Sequence, residues 1–317
     1  MLKQLAIATK GMAMGLAEIV PGVSGGTIAF ITGIYERLIA SIRRIDRQFL
    51  KLITKGKVKE AYAHIDAGFL LNLILGMVIG IVVGVFGVTH LLDAYPIRVW
   101  AFFFSLIAAS SFVVARDIRH FTWQILILIL GGALFALWIT SGQPIVQDKT
   151  NLLFVFVSGI LAISALLLPG LSGSFILLLL GMYAVVIPAV RDTLSGDANQ
   201  LSVVVFFALG CIVGLFTLSR VLHWFYLRFR DKVLAILTGF MLGSLNKIWP
   251  WQQVFDVIER EGKKPIITYS KSVSPQTFSE LVENPIFGND PAMLNSVVIM
   301  CVTFIVVISI TLFSKKL

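Results

Sequence analysis

PGVSGGTIAFITGIY, from Pro21 to Tyr35, and PGLSGSFILLLLGMY, from Pro169 to Tyr183, are one phrase written twice at an offset of 148 residues. Pro, Gly, Ser and Gly recur in register at the front, as Pro21, Gly22, Ser24 and Gly25 and as Pro169, Gly170, Ser172 and Gly173. Gly33 and Tyr35 recur as Gly181 and Tyr183. A bias toward apolar residues would not place polar and turn-forming positions in register, so the chain carries an internal repeat. Past each phrase the offset becomes 134: Gly76 and Gly80 face Gly210 and Gly214, and Arg98, Val99, Ala101 and Ser110 face Lys232, Val233, Ala235 and Ser244. The missing residues are a basic loop that is longer in the first half.

Around these phrases the chain is apolar. Hydrophobic residues fill 57% of 317 positions and charged ones 14%, against roughly one quarter charged in soluble domains. The apolar residues fall in blocks of the length that crosses a hydrocarbon core about 30 Å thick. An all-α integral membrane protein follows. Its first half, 1–142, holds a Pro/Gly segment at 5–36 and spans at 68–92, 99–115 and 123–141. Its second half, 150–317, holds the segment 152–190 and spans at 203–224, 233–249 and 294–313. Glu18 and Pro21 interrupt the first apolar run and no small-residue cleavage site follows, so the run is expected to be retained rather than removed as a signal.

The net charge of +9 sits in short loops between spans, which argues for topology determinants rather than nucleic-acid binding. The positive-inside rule puts the Arg37–Lys59 loop, the Arg116/Arg119 turn, the Arg228–Lys232 turn and the Lys315/Lys316 tail in the cytoplasm. The 251–291 loop then falls outside. These assignments agree only if each Pro/Gly segment enters and leaves on one side, as a re-entrant hairpin of two short helices. Each half is then one hairpin plus three transmembrane helices, and the halves have opposite orientation, the inverted-topology repeat of secondary transporters. Both termini are cytoplasmic. The competing arrangement, each Pro/Gly segment a complete kinked span, would put Lys3 and the Arg37 loop on opposite sides. The basic run from Arg37 to Lys59 has helical spacing and suits an anionic leaflet.

At each hairpin tip Pro stops one helix, Gly allows the turn, and a Ser-Gly pair opens the next with free backbone N–H groups, an arrangement that attracts phosphate or carboxylate. Gly22, Ser24, Gly25, Gly26 and Thr27, with Gly170, Ser172, Gly173 and Ser174, are the candidate substrate-binding residues. The plainer explanation is that small residues let helices cross closely. Glu18 precedes Pro21 by one turn and its repeat partner is Leu166, so this acid breaks the symmetry. An intramembrane carboxylate is a candidate proton or sodium relay, with a structural hydrogen bond as the alternative. Glu36, at the inner end of the first hairpin, is the second ion-coupling candidate. Arg116, Arg119 and Arg220 are basic candidates for an anionic head group, although boundary anchoring and snorkelling explain them as simply.

No catalytic residue is nominated, because none of the four His residues lies in either motif and no nucleophile–base pair is evident. Cys211 and Cys301 lie in apolar spans without metal-type spacing, so no metal and no cofactor are expected. With no Gly-Lys-Ser/Thr phosphate loop, uphill transport would draw on a proton or sodium gradient.

GLAEIVPGVSGGTIAFITGIYERLI together with LLPGLSGSFILLLLGMY resembles the bacterial and archaeal polyprenyl-phosphate transporter family, over essentially the whole chain. The resemblance implies a multi-pass protein of the bacterial plasma membrane that returns undecaprenyl phosphate, the lipid carrier of cell-envelope synthesis, from the outer to the inner leaflet. Its partners would be that lipid and anionic membrane lipids, with no nucleic acid, and a homodimer is compatible. The motif also looks like that of membrane undecaprenyl-pyrophosphate phosphatases, but their following His is missing from PGVSGGTIAF. A small-anion exchanger or channel fits the hairpins equally well.

Overall fold

The computed structural model describes residues 2–18, 23–143, 151–196, 199–260, 263–281 and 290–314. Pro21, Gly22, Lys315 and Lys316 lie outside them. The chain is mostly helical: α1 Leu2–Glu18, α2 Gly25–Ile31, α3 Tyr35–Arg43, α4 Arg47–Thr54, α5 Val58–His64, α6 Ala67–Ala94, α7 Pro96–Arg116 and α8 Trp123–Thr140 in the first part. The second part has α9 Leu152–Leu167, α10 Gly173–Leu179, α11 Tyr183–Leu194, α12 Leu201–Arg228, α13 Arg230–Ser244, β1 Gln252–Arg260, β2 Lys263–Ser272, α14 Pro275–Ser279 and α15 Met293–Ser314. α6, α7, α8 and α12 are long and apolar enough to cross a membrane, and their outward faces carry exposed Leu, Ile, Val and Phe, which only lipid tolerates in such numbers. This is a multi-pass membrane protein.

The repeated phrase makes the same local structure twice. α2 and α10 each begin at the Gly after the motif Ser, which sits extended as N-cap at φ −115° and −105° respectively. Each helix ends after seven residues at a Gly with positive φ, Gly33 at 71° and Gly181 at 67°. In both, the Gly N–H and the next N–H bond back across the last turn: Gly33 to Phe30 O and Ile34 to Ala29 O, Gly181 to Leu178 O and Met182 to Leu177 O. This is the Schellman stop, and glycine supplies the left-handed residue it requires. The second limb of the 152–190 segment is therefore two helices, α10 and α11, bent by 116°.

The halves also pack by the same contacts. α1 lies along α6 and α9 along α12, and in both crossings the backbones touch through glycine. A Cβ on Gly11 would lie 2.2 Å from the Leu73 carbonyl oxygen and one on Gly159 2.5 Å from that of Phe207. Gly76 meets Ala8 as Gly210 meets Phe156, and Gly80 meets Met12 as Gly214 meets Ile160. Each member of the second set stands 148 or 134 residues after its counterpart, the offsets of the sequence repeat. The third long helices are exchanged: α8 packs on α13, with Gly132 and Gly239 at the crossing, and α15 packs on α7, where Ser105 Oγ donates to the Met300 carbonyl. α7 and α13 pack together between these pairs. The central buried cluster draws Val23, Ile28, Ile107, Leu167, Leu234 and Met241 from both halves.

Two expectations need correcting. The 251–291 loop is not all irregular: within the mostly helical fold, β1 and β2 pair antiparallel from Gln252 opposite Ser272 to Arg260 opposite Lys263. Trp251 and Phe278 bury against Ile97 at its base. The β-branched residues Val254, Val257, Ile258, Ile266, Ile267 and Thr268 in these two stretches are the physical reason. The span placed at 233–249 is helical only as far as Ser244; turn and irregular backbone carry the chain to Trp251. The basic loop, by contrast, is short helices. Asp46 caps α4, its Oδ1 accepting from the Phe49 N–H at 3.0 Å, and Leu50, Ile53, Val58 and Tyr62 are exposed beside Lys51 and Lys55.

Candidate functional site

Two breaks, 148 residues apart in sequence, meet in the interior. Ser24 and Thr27 are fully buried. The Ser24 hydroxyl accepts from the Gly26 N–H at 3.1 Å, the N-cap bond that a Ser at this position makes, and donates across the molecule to the Leu166 carbonyl at 3.4 Å. Thr27 Oγ1 accepts from the Gly170 N–H at 3.0 Å. Tyr35 donates from its hydroxyl to the Leu167 carbonyl at 3.0 Å. These three bonds take up carbonyls and an N–H that the α9 terminus leaves without helical partners.

Glycine sets how closely the breaks approach. A Cβ on Gly26 would stand 2.9 Å from the Leu166 oxygen, and one on Gly173 2.6 Å from that of Ala162. Gly170 adopts φ +88° with the Met241 backbone 2.8 Å from where its Cβ would be. The α9 break is thus pressed against α13 on one side and α2 on the other.

Glu18 ends α1, and its Oε1 accepts from the Gly25 N–H at 2.7 Å. The carboxylate therefore bridges the chain across the α1–α2 break. Ser172 and Ser174 bond to each other through their hydroxyls at 2.9 Å, and Ser172 is buried. Of the motif hydroxyls, Ser24 and Thr27 are engaged in joining the breaks, while the Ser172–Ser174 pair spends its bond within itself.

Glu18, Ser24, Gly25, Gly26, Thr27, Gly170, Ser172, Gly173 and Ser174 thus lie at these two breaks, whereas Gly22 is outside the described residues. The arginines lie elsewhere. Arg116 and Arg119 are exposed at the end of α7 and in the turn that follows, where Arg230 Nη1 donates to the Asp117 carbonyl and Asp231 accepts from the His120 N–H. Arg220 is exposed on α12, its guanidinium 5.7 Å from the Phe216 ring centroid. Glu36 is also separate: exposed on α3, it accepts from the Tyr226 hydroxyl of α12.

Sequence reasoning missed three side chains. Tyr35 was visible only as a repeat match, Tyr226 gave no signal, and Lys10, whose Nζ donates to the Thr32 carbonyl at 2.6 Å, satisfies the end of α2 from the middle of α1. Among the described residues, no group of three or more His, Cys, Asp or Glu is placed to hold a metal ion.

A multi-pass helical membrane protein whose broken-helix motifs, one from each half, lock together in its interior is the class that the fold and site define. Residues 14–265 match the model of the VCA0040-like family, described as undecaprenyl phosphate translocase-like. The chain is 40% identical over 284 residues, 90% of each chain, to a polyprenyl-phosphate transporter of Vibrio cholerae. It is 30% identical over 253 residues to a polyprenyl-phosphate transporter of Staphylococcus aureus, covering 76% of this chain and 84% of that one. No solved structure matches it significantly. The chain belongs to the VCA0040-like family, and it is a transporter rather than an enzyme.

Proposed function

We propose that this transporter carries polyprenyl phosphate, in the form of undecaprenyl phosphate, from the outer to the inner leaflet of the bacterial plasma membrane, returning the carrier of cell-envelope synthesis for reuse. The substrate class is supported by the relatives' names. The observation that carries the mechanism is the meeting of the two motifs, with Thr27 accepting from the Gly170 N–H. Paired broken helices at a repeat interface are where secondary transporters bind their cargo.

In this reading the halves are inverted repeats and each motif is the tip of a re-entrant hairpin. The Ser172–Ser174 hydroxyls and the small-residue backbone admit a phosphate, and the prenyl chain stays in lipid. Glu18 holds the Gly25 N–H most strongly when ionised, and protonation or sodium binding weakens that hold, so the coupling ion loosens the first tip. Glu36, which accepts from Tyr226 at the contact of α3 with α12, is the second ion-coupling residue. Arg116, Arg119 and Arg220 serve the head group at the boundary, and both termini are cytoplasmic. The basic helices α4 and α5 rest on anionic lipid.

Transbilayer movement of labelled undecaprenyl phosphate in liposomes, under an imposed pH or sodium gradient, tests this. Gradient-sensitive movement without release of inorganic phosphate is expected. Absence of lipid movement alongside uptake of a small anion would overturn the lipid reading in favour of an anion exchanger. Ser24→Ala combined with Ser172→Ala should weaken lipid-phosphate binding in a protein that still folds; unchanged binding would remove the tips from the site.

A further inference from the structure

Away from the motifs, a cavity of about 260 Å³ opens between α3 of the first half and α12 of the second. Ile39, Ala40, Leu222, Leu227 and Val233 give it an apolar wall, of which Leu227 is 74% exposed. The polar groups on its wall are largely committed. Glu36 accepts from Tyr226, and Arg37 pairs with Asp66 at 2.7 Å while lying over the Phe69 ring. Arg230, which sits over the other edge of Tyr226, donates to the Asp117 carbonyl. At the mouth the situation reverses. Arg43 and Arg44 stand exposed at the end of α3, one turn beyond Ile39 and Ala40 of the cavity wall, and among the described residues no carboxylate pairs with either.

An apolar slot under an unneutralised cationic rim matches a molecule with an anionic head and a hydrocarbon tail. We propose that the α3–α12 cleft is a second, lateral binding site for a prenyl monophosphate: Arg43, Arg44 and His223 hold the phosphate at the membrane boundary, and the first isoprene units lie in the cavity. The site is distinct from the two tips and serves as a docking station on the route to or from them. The inference rests on the transport reading above. It adds that the protein grips the tail, which a carrier of free phosphate would not do.

Binding of radiolabelled farnesyl phosphate, farnesol and inorganic phosphate to the purified full-length protein separates the contributions, with undecaprenyl phosphate movement in liposomes measured on the same preparations. Ala40→Trp fills the cavity and should raise the Kd for both farnesyl phosphate and farnesol about tenfold or more. Arg43→Gln with Arg44→Gln should weaken farnesyl phosphate alone. Leu222→Trp is the second filling variant should Ala40→Trp not fold, with gel filtration and thermal unfolding as the check. If the wild type binds and moves lipid while the filled and neutralised variants bind farnesyl phosphate as it does, the cleft is not a site and the transport reading stands. If the wild type neither binds farnesyl phosphate nor moves the lipid, both fall.

Discussion

Thr27 and Gly170 show how one hydroxyl can join two halves. Replacing Thr27 by Val keeps the shape and removes the acceptor, leaving a buried N–H unpaired at a cost of about 1–3 kcal/mol. Thermal unfolding in detergent should fall accordingly, and Thr27→Ser should restore most of it. Glu18 should behave differently. Glu18→Gln keeps an oxygen for the Gly25 N–H but cannot ionise, so the protein should fold and bind lipid while losing the dependence of transport on the imposed gradient; unaltered gradient dependence would remove Glu18 from coupling. Ser24, Thr27 and Glu18 were identifiable in the sequence because polar residues in an apolar run need a reason. Their partners were not, since nothing in a linear pattern says that Ser24 reaches Leu166 or that Gly170 faces Thr27.

Gly76 and Gly210 each bring a neighbouring carbonyl to 2.0 Å from a would-be Cβ, so neither tolerates a side chain without the helices separating. Gly76→Leu and Gly210→Leu should each destabilise the protein by about 3 kcal/mol or more, read as a lowered melting temperature. Exposed α4 responds to pH instead. The Phe49 N–H, aided by His64 at 3.1 Å, holds the Asp46 carboxyl below its ordinary range. The ionised cap therefore steadies α4 above the ordinary carboxylate range and is lost as pH falls through the depressed folded value. Hydrogen exchange in α4 should accelerate there, and Asp46→Ala should abolish the pH dependence. The long helices were legible because apolar runs and charged ends mark them within a few residues. The stop at Gly181 was less so, because a Gly inside an apolar run reads as packing until the αL turn is seen.

At the scale of the molecule the repeat makes the strongest demands. Cysteines at Lys55 and at Gln276 of α14 should react with impermeant thiol reagents from opposite faces of the membrane; labelling from one face would refute the inverted arrangement. That arrangement also names a contact for the opposite state. Glu36 and Tyr226 touch here, and their repeat counterparts are Ala184 and Leu92, while α11 packs on α12 of its own half. A disulfide between cysteines at Glu36 and Tyr226 should trap one state, and a pair at Ala184 and Leu92 the other, each blocking lipid movement until reduced. The doubled phrase made the two halves readable from sequence, but the exchange of α8 and α15 was not, because hydropathy alone marks those helices.

That exchange has a consequence for how the chain is made. α7 leaves the ribosome long before α15, the helix that covers its Ser105 face, and α8 must wait for α13. During synthesis the first half therefore sits in the bilayer with two unsatisfied flanks, and a chain truncated before residue 293 would keep the α7–α13 contact but leave the Ser105 face of α7 uncovered. The α7 flank is thus closed only once α15 has entered the bilayer, so assembly of the first half waits on the second.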